Sequence, residues 1–345
     1  MPQILAAIFG LSLLVTLHEA GHYLFARIFG MRVLRFSIGF GPVLASYRPK
    51  NSPTVFQVCA IPFLAYVLVA GTNPAEEPDP NDPDLYANKG LWPRIWMNLG
   101  GPLANYLTAS VLVFGLAITG IRSEVPRSPM VISNVEAGSP AEKAGLQPGD
   151  TVLEANGHPI KNVQELSEIT SARAGEPTRY LVERKGERLA PITITPAKRQ
   201  ERGVIGVNAQ SDVKYEAQPL WRSAVLAVET PFVLTLANLN GMADLIKRRS
   251  TEGVMGPVGM AKLMVKQADE GFYSYVWILV MISVALGYFN LLPLPGLDGG
   301  KLIFLAYELV TRKRADERVE AIVHGVGLLV LVGAIALVTL RDVAG

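Results

Sequence analysis

Residues 4–29 read ILAAIFGLSLLVTLHEAGHYLFARIF, an apolar run with two histidines and a glutamate set into its second half. A helix of about 20 apolar residues crosses about 30 Å of hydrocarbon, so this stretch reads as a transmembrane helix. A secretory leader would need a basic start and a small-residue cleavage site. Met1-Pro2-Gln3 has no basic side chain, and the cleavage region reads His18-Glu19-Ala20-Gly21-His22. Ionisable groups are costly inside a bilayer and mark a task there. The spacing supplies one. Helical positions four apart lie about 40° apart around the axis, so both imidazoles project from one face onto one ion. His18 and His22 are therefore expected to be metal ligands. Glu19 sits beside them as the general base for a water polarised by Zn2+. Packing histidines are the bland alternative, yet the chain has only 4 histidines and two fall here. His158 and His324 read as structural.

The rest of the chain suits a membrane. Of 345 residues, 50% are hydrophobic and 18% charged, against about a quarter charged in soluble domains. Further spans are expected over about 95–118, 273–294 and 321–340. A net charge of +2, with no basic run interleaved with aromatics, argues against nucleic acid as a partner. The lone Cys59 excludes an internal disulfide or a cysteine zinc cluster. Arg27, Arg32, Arg35, Arg48 and Lys50 follow the first span, and Arg312, Lys313, Arg314 and Arg318 precede the last. Basic loops stay cytoplasmic, which places both termini and the central region outside. Residues 219–247 are apolar but interrupted by Glu229, Asn238, Asn240 and Asp244. They read as an amphipathic helix at the outer interface, since a fifth span would separate the ends of the first and third.

A catalytic zinc needs a third protein ligand and an open position. Glu229, Asp244, Asp298 and Glu308 are the carboxylates of the apolar regions. Asp298 closes Asn290-Leu291-Leu292-Pro293-Leu294-Pro295-Gly296-Leu297-Asp298 at the inner end of the third span, on the face to which the first span delivers His22. Two prolines break the helix there, and irregular backbone is tolerated in a membrane where it is buried or lines a wet cavity. Asp298 is the expected ligand.

Residues 125–197 have another texture: short strands, turns and charge. Val131–Val135 reads as a strand, Ser139–Leu146 as a capped short helix, and Asn156-Gly157 as a hairpin turn. The pattern Gly138-Ser139-Pro140-Ala141, Pro148-Gly149-Asp150 and Asn156-Gly157 resembles a PDZ domain of the bacterial type. That resemblance implies peptide binding by strand addition along Met130, Val131 and Ile132, facing a helix at 163–174.

Together with this module, the His18–His22 and Asn290–Gly300 motifs resemble the site-2 protease family of intramembrane zinc proteases, in its bacterial regulator of sigma-E protease group. The likeness implies cleavage of transmembrane proteins such as anti-sigma factors, in the bacterial inner membrane. It implies further that Asn105, in the Asn98–Asn105 signature, and Asn290 position substrate. Gly39-Phe40-Gly41-Pro42 and Ile61-Pro62 match a membrane-associated β-hairpin at about 33–70, whose edge, including Val55 and Val58, would pair with extended substrate. After Ile61-Pro62 the family usually has two glycines before its Tyr-Val, where this chain reads Phe63-Leu64-Ala65-Tyr66-Val67, so that edge should be stiffer and more apolar. The expected architecture is a polytopic α-helical membrane protein with four spans: a core of 1–124 and 198–345, interrupted by an extracytoplasmic PDZ domain at 125–197. A catalytically silent scaffold of the same fold is the alternative reading, opposed by the intact Glu19.

Overall fold

The computed structural model describes residues 1–72, 79–199, 202–248 and 255–344. It divides into two compact units, Met1–Ile118 with Gln218–Gly345, and Thr119–Ala217.

The first unit begins with α1 (Pro2–Ile28), a hairpin of β1 (Val33–Tyr47) and β2 (Val55–Val69), and α2 (Leu91–Thr119). The inserted unit runs β3 (Ile121–Pro126), β4 (Ile132–Val135), α3 (Pro140–Lys143), β5 (Thr151–Ala155), β6 (His158–Pro159), α4 (Val163–Ala172), β7 (Thr178–Arg184), β8 (Glu187–Arg188), β9 (Ile192–Ile194), β10 (Ala197–Arg199), β11 (Arg202–Val204), β12 (Val207–Ala209) and β13 (Ser211–Glu216). The chain then returns as α5 (Leu220–Arg248), α6 (Pro257–Glu270), α7 (Phe272–Leu291), α8 (Asp298–Thr311) and α9 (Glu317–Ala344).

Five helices are long and apolar enough to cross a membrane: α1, α2, α5 over Leu220–Leu245, α7, and α9 over Arg318–Asp342. That is one more than the four expected spans. The addition is the segment read as a surface helix. Its Leu226, Leu234 and Met242 pack into a cluster with Val280, Val284 and Tyr288 of α7, and Tyr106 of α2 hydrogen-bonds Thr235 at 2.8 Å. Contacts at every eighth residue bury one stripe along most of its length. The polar residues that suggested an interface helix interrupt the apolar run without removing this stripe.

The hairpin is folded over on itself. Phe36 pairs with both Val67 and Phe56, and Ser37 with both Tyr66 and Gln57, so the start of β1 lies between two stretches of β2. Val58 is paired on both sides, with Ile38 and Ala45, and Val55 pairs with Arg35. The expectation that Val58 lies on a substrate-accepting edge is corrected for that reason, since its backbone is already spent within the sheet, whereas Val55, at the start of the strand, has the one partner. Among the described residues, two stretches have no strand on their far side, Ala65–Val69 and Val43–Tyr47, and the first of them lies beside Glu19.

The inserted unit closes on its own core of Met130, Ile132, Val152, Tyr180, Val182, Ile194 and Ile205. Its central sheet has the order β6-β5-β7-β8, with β9 also on β7. Ser139 caps α3 by accepting from Glu142 N–H, and Asn162 caps α4 by accepting from Glu165 N–H. Residues beyond 197 also belong to this unit, because β12 returns to pair with β4 and Ile205 enters the core.

Candidate metal centre

Helix α1 places His18 and His22 one turn apart, both buried, with their Nε2 atoms 3.2 Å apart. Asp298, the first residue of α8, brings Oδ2 to 3.3 Å from each of them. The three expected ligands thus meet. A tetrahedral zinc with bonds of about 2.0–2.1 Å requires ligand atoms about 3.3–3.4 Å apart. The nearly equilateral triangle of 3.2, 3.3 and 3.3 Å meets that requirement. Asp298 Oδ2 is buried and makes no hydrogen bond, a costly state for a carboxylate oxygen unless a cation satisfies it. Donor set and spacing therefore fit zinc.

Close helix packing builds this triangle. A Cβ on Gly21 would strike the Gly100 backbone, and one on Gly101 would strike both imidazoles. Only hydrogen at these positions lets α2 press against the ligand face of α1. Helix α2 then supplies the outer partners. The Met97 carbonyl lies 2.8 Å from His22 Nδ1 and the Asn105 amide 3.0 Å from His18 Nδ1. A proton on Nδ1 of His22, donated to that carbonyl, leaves Nε2 its lone pair for a metal.

Asp298 is held by the loop of residues 292–297 between α7 and α8. Leu294 N–H bonds Leu292 O, and Leu297 N–H bonds Leu294 O. Gly296 N–H donates to His324 Nδ1 at 2.9 Å. His324 thus serves as an acceptor for a proline-broken loop whose backbone would otherwise lack partners. Nothing in the sequence near His324 signals this. The rival carboxylates are engaged elsewhere. Glu308 receives Arg94 at 2.5 Å, Glu229 lies 4.0 Å from Arg222, and Asp244 lies 3.9 Å from Lys247.

Glu19, Tyr66, Val67, Asn290 and Lys301 join the three ligands around a cavity of about 310 Å³. Tyr66 and Val67 bring the outer edge of the hairpin to the same cavity wall as Glu19. Asn290 stands on the cavity wall and donates to Leu286 O at 2.9 Å. Asn105 does not share that position. It is 0% exposed and directed at His18, so the expectation that it positions substrate is corrected: its amide faces a ligand ring, away from the cavity lining. Tyr66 and Lys301 had no pattern to announce them.

In the inserted unit, the expected peptide edge is also corrected. Met130 and Ile132 are wholly buried in the core. Their strand is flanked on one side by Asp150 and Val152, and on the other by β12 and Gln210. The returning tail fills the edge that 125–197 alone would have left open. A groove of about 290 Å³ instead runs between α4 and residues 202–207, lined by Val163, Leu166, Thr170, Arg202 and Val204 among others.

Peptidase family M50 matches residues 6–334. Metalloprotease MmpA of Caulobacter vibrioides is 32% identical, over 96% of this chain and 92% of that one. A chain named as a zinc metalloprotease in Mesorhizobium japonicum is 30% identical over 98% of this chain and 97% of its own. One from Rickettsia conorii, similarly named, is 29% identical over 99% of both. Among solved structures, the PDZ domain of an SdrC-like protein from Listeria monocytogenes matches at 20% identity and a TM-score of 0.22, covering 25% of this chain and 93% of that one.

Proposed function

The chain belongs to peptidase family M50, a membrane-embedded family of zinc metalloproteases, and from that premise we propose that it hydrolyses peptide bonds in or beside transmembrane segments of other proteins. One observation carries the reading: a ligand triangle, a carboxylate and a strand edge share a single cavity walled by helices of membrane-spanning length. His18, His22 and Asp298 hold the metal. Zinc, when bound, supplies Lewis-acid polarisation of a carbonyl and of a water. Glu19 takes the proton from the attacking water and returns it to the leaving amine.

A transmembrane helix keeps its carbonyls in internal hydrogen bonds, so it must unwind before attack. Ala65 can hold the unwound strand. Its stretch of strand has no partner on its far side and lies beside the cavity, and added-strand pairing there is how an extended segment would be held near Glu19. Asn290 is proposed to steady its backbone. The groove between α4 and residues 202–207 would take an exposed chain end outside the membrane, favouring substrates already trimmed there.

Orientation follows from the triangle. His22 and Asp298 lie on one side of the bilayer only if α1 and α7 cross in the same direction. One return crossing is α2, so α5 cannot complete a crossing unless α6 reverses it. We place α5 and α6 as a pair that enters from the outer side and leaves by it, with the metal towards the cytoplasmic face of a bacterial inner membrane. Anti-sigma factors are the substrate class proposed.

Co-reconstitution with a single-span substrate tests the function. Wild type should release two fragments, and Glu19→Gln should release none while keeping its zinc. Equal cleavage by both proteins would sink the reading.

A further inference from the structure

Asn105 is a fully buried amide that the proteolytic reaction above does not use. It stands on α2 with its backbone carbonyl held by Ser283 Oγ of α7 at 2.9 Å. Its Nδ2 lies 3.0 Å from His18 Nδ1, and its Oδ1 is buried with no hydrogen-bond partner. Nδ2 facing Nδ1 suits an imidazole whose hydrogen sits on Nε2. Such an imidazole cannot ligate through Nε2, the atom that points at Asp298 Oδ2 and His22 Nε2.

A half-turn of the amide resolves both problems. It brings Oδ1 to Nδ1, where it accepts the ring hydrogen, and frees the Nε2 lone pair. The orphaned oxygen gains its partner in the same movement. The same movement puts Nδ2 where Oδ1 stood, so it is the metal's need for the Nε2 lone pair that selects this arrangement. We propose that Asn105 is a positioning residue that sets the tautomer and ring plane of His18 by presenting Oδ1 to its Nδ1–H when zinc is bound. The two histidines are then served alike from α2, His22 by a backbone carbonyl and His18 by a side-chain one, eight residues further along an antiparallel helix.

The inference rests on the ligand set proposed above, and the test separates the two. Zinc affinity of the full-length protein in detergent is measured by competition with a chelator, for wild type, Asn105→Leu, Asn105→Asp and His18→Ala. Outer-shell partners of zinc ligands contribute roughly 10–100-fold in affinity. Asn105→Leu, which has similar volume and no acceptor, should weaken zinc by that factor. Asn105→Asp keeps an acceptor and should stay within a few-fold of wild type. His18→Ala should lose zinc far more severely. Wild-type affinity in Asn105→Leu, with only KM raised, would overturn the proposal and return Asn105 to substrate. Full zinc binding by His18→Ala would overturn the ligand set and the inference with it. Should Asn105→Leu fail to fold, the ring nitrogens of His18 decide the matter in wild type. Nitrogen-15 spectra of the zinc form should show a slowly exchanging hydrogen on Nδ1, and a hydrogen on Nε2 would contradict the proposal.

Discussion

The carboxylate oxygen of Asp298 faces two imidazole nitrogens at 3.3 Å and makes no hydrogen bond of its own. Removing it should therefore be felt in metal content before anything else. Asp298→Ala is expected to lose most of its zinc and all measurable turnover, and Asp298→Asn to keep part of the metal through its amide oxygen. Metal analysis of the purified variants checks this. Full occupancy in Asp298→Ala would move the third ligand elsewhere. Glu19→Gln should behave in the opposite way, with zinc retained and kcat reduced by at least roughly 10²–10⁴, the usual worth of a general base. At this scale the sequence is uneven. His18, Glu19 and His22 are legible because their geometry is local to one helix. Asp298 is legible through topology, since only a span running parallel to the first can deliver it. The contact of Asn105 with His18 is not, because which buried amide meets which ring depends on the approach of two helices at Gly21, Gly100 and Gly101.

Helix α8 carries Asp298 at one end and Glu308 near the other, and Glu308 is tied to the buried Arg94 of α2 at 2.5 Å. Without Arg94, Glu308 falls back on the half-exposed Arg314 at 3.6 Å; breaking a buried pair costs up to about 3–5 kcal/mol, whereas replacing both members with apolar residues is often neutral. Arg94→Met should lower thermal stability sharply, and the double variant Arg94→Met with Glu308→Leu should recover much of it. An unchanged melting temperature in the single variant would remove this pair from the supports of α8. In the hairpin, Ala65 pairs with Ile38 on one side only, so a proline there removes an N–H from an outer strand, where it is best tolerated. Cleavage should fall several-fold at constant zinc. Proline at Val58, paired on both sides, should instead cost the fold. The family resemblance implies a hairpin over 33–70, but not that β1 is clasped by two stretches of β2. Register and doubling are set by packing against α1, which no local propensity encodes. The same limit hid β12, whose three residues look like linker until β4 needs a partner.

On the scale of the whole chain, a membrane core and an inserted unit are distinguishable in composition, and the structure separates them at Thr119 and Ala217. The inserted unit has its own acid sensitivity. Burial pushes the Asp150 carboxyl up, but Arg184 at 2.6 and 2.8 Å and the Gln147 N–H at 2.9 Å outweigh it and hold the carboxyl below its ordinary value. A depressed folded value stabilises the unit above the unfolded value of about 3.9, and that stabilisation is lost as pH falls through the folded one. Asp150→Asn should be less stable at pH 7 by about 1.5–3 kcal/mol, with a flatter decline on acidification. Hydrogen exchange at β5 and β7 in the intact chain measures both effects. A wild-type decline in Asp150→Asn would place the acid sensitivity on another group. If the metal triangle serves bonds within the membrane, the cut must fall there. Purified wild-type protein is reconstituted with a single-span substrate, and the new chain ends are mapped by mass spectrometry beside a Glu19→Gln control. New ends are expected inside or at the border of the substrate's apolar segment, absent from the control. Ends confined to a soluble region, or present equally with Glu19→Gln, would contradict that reading.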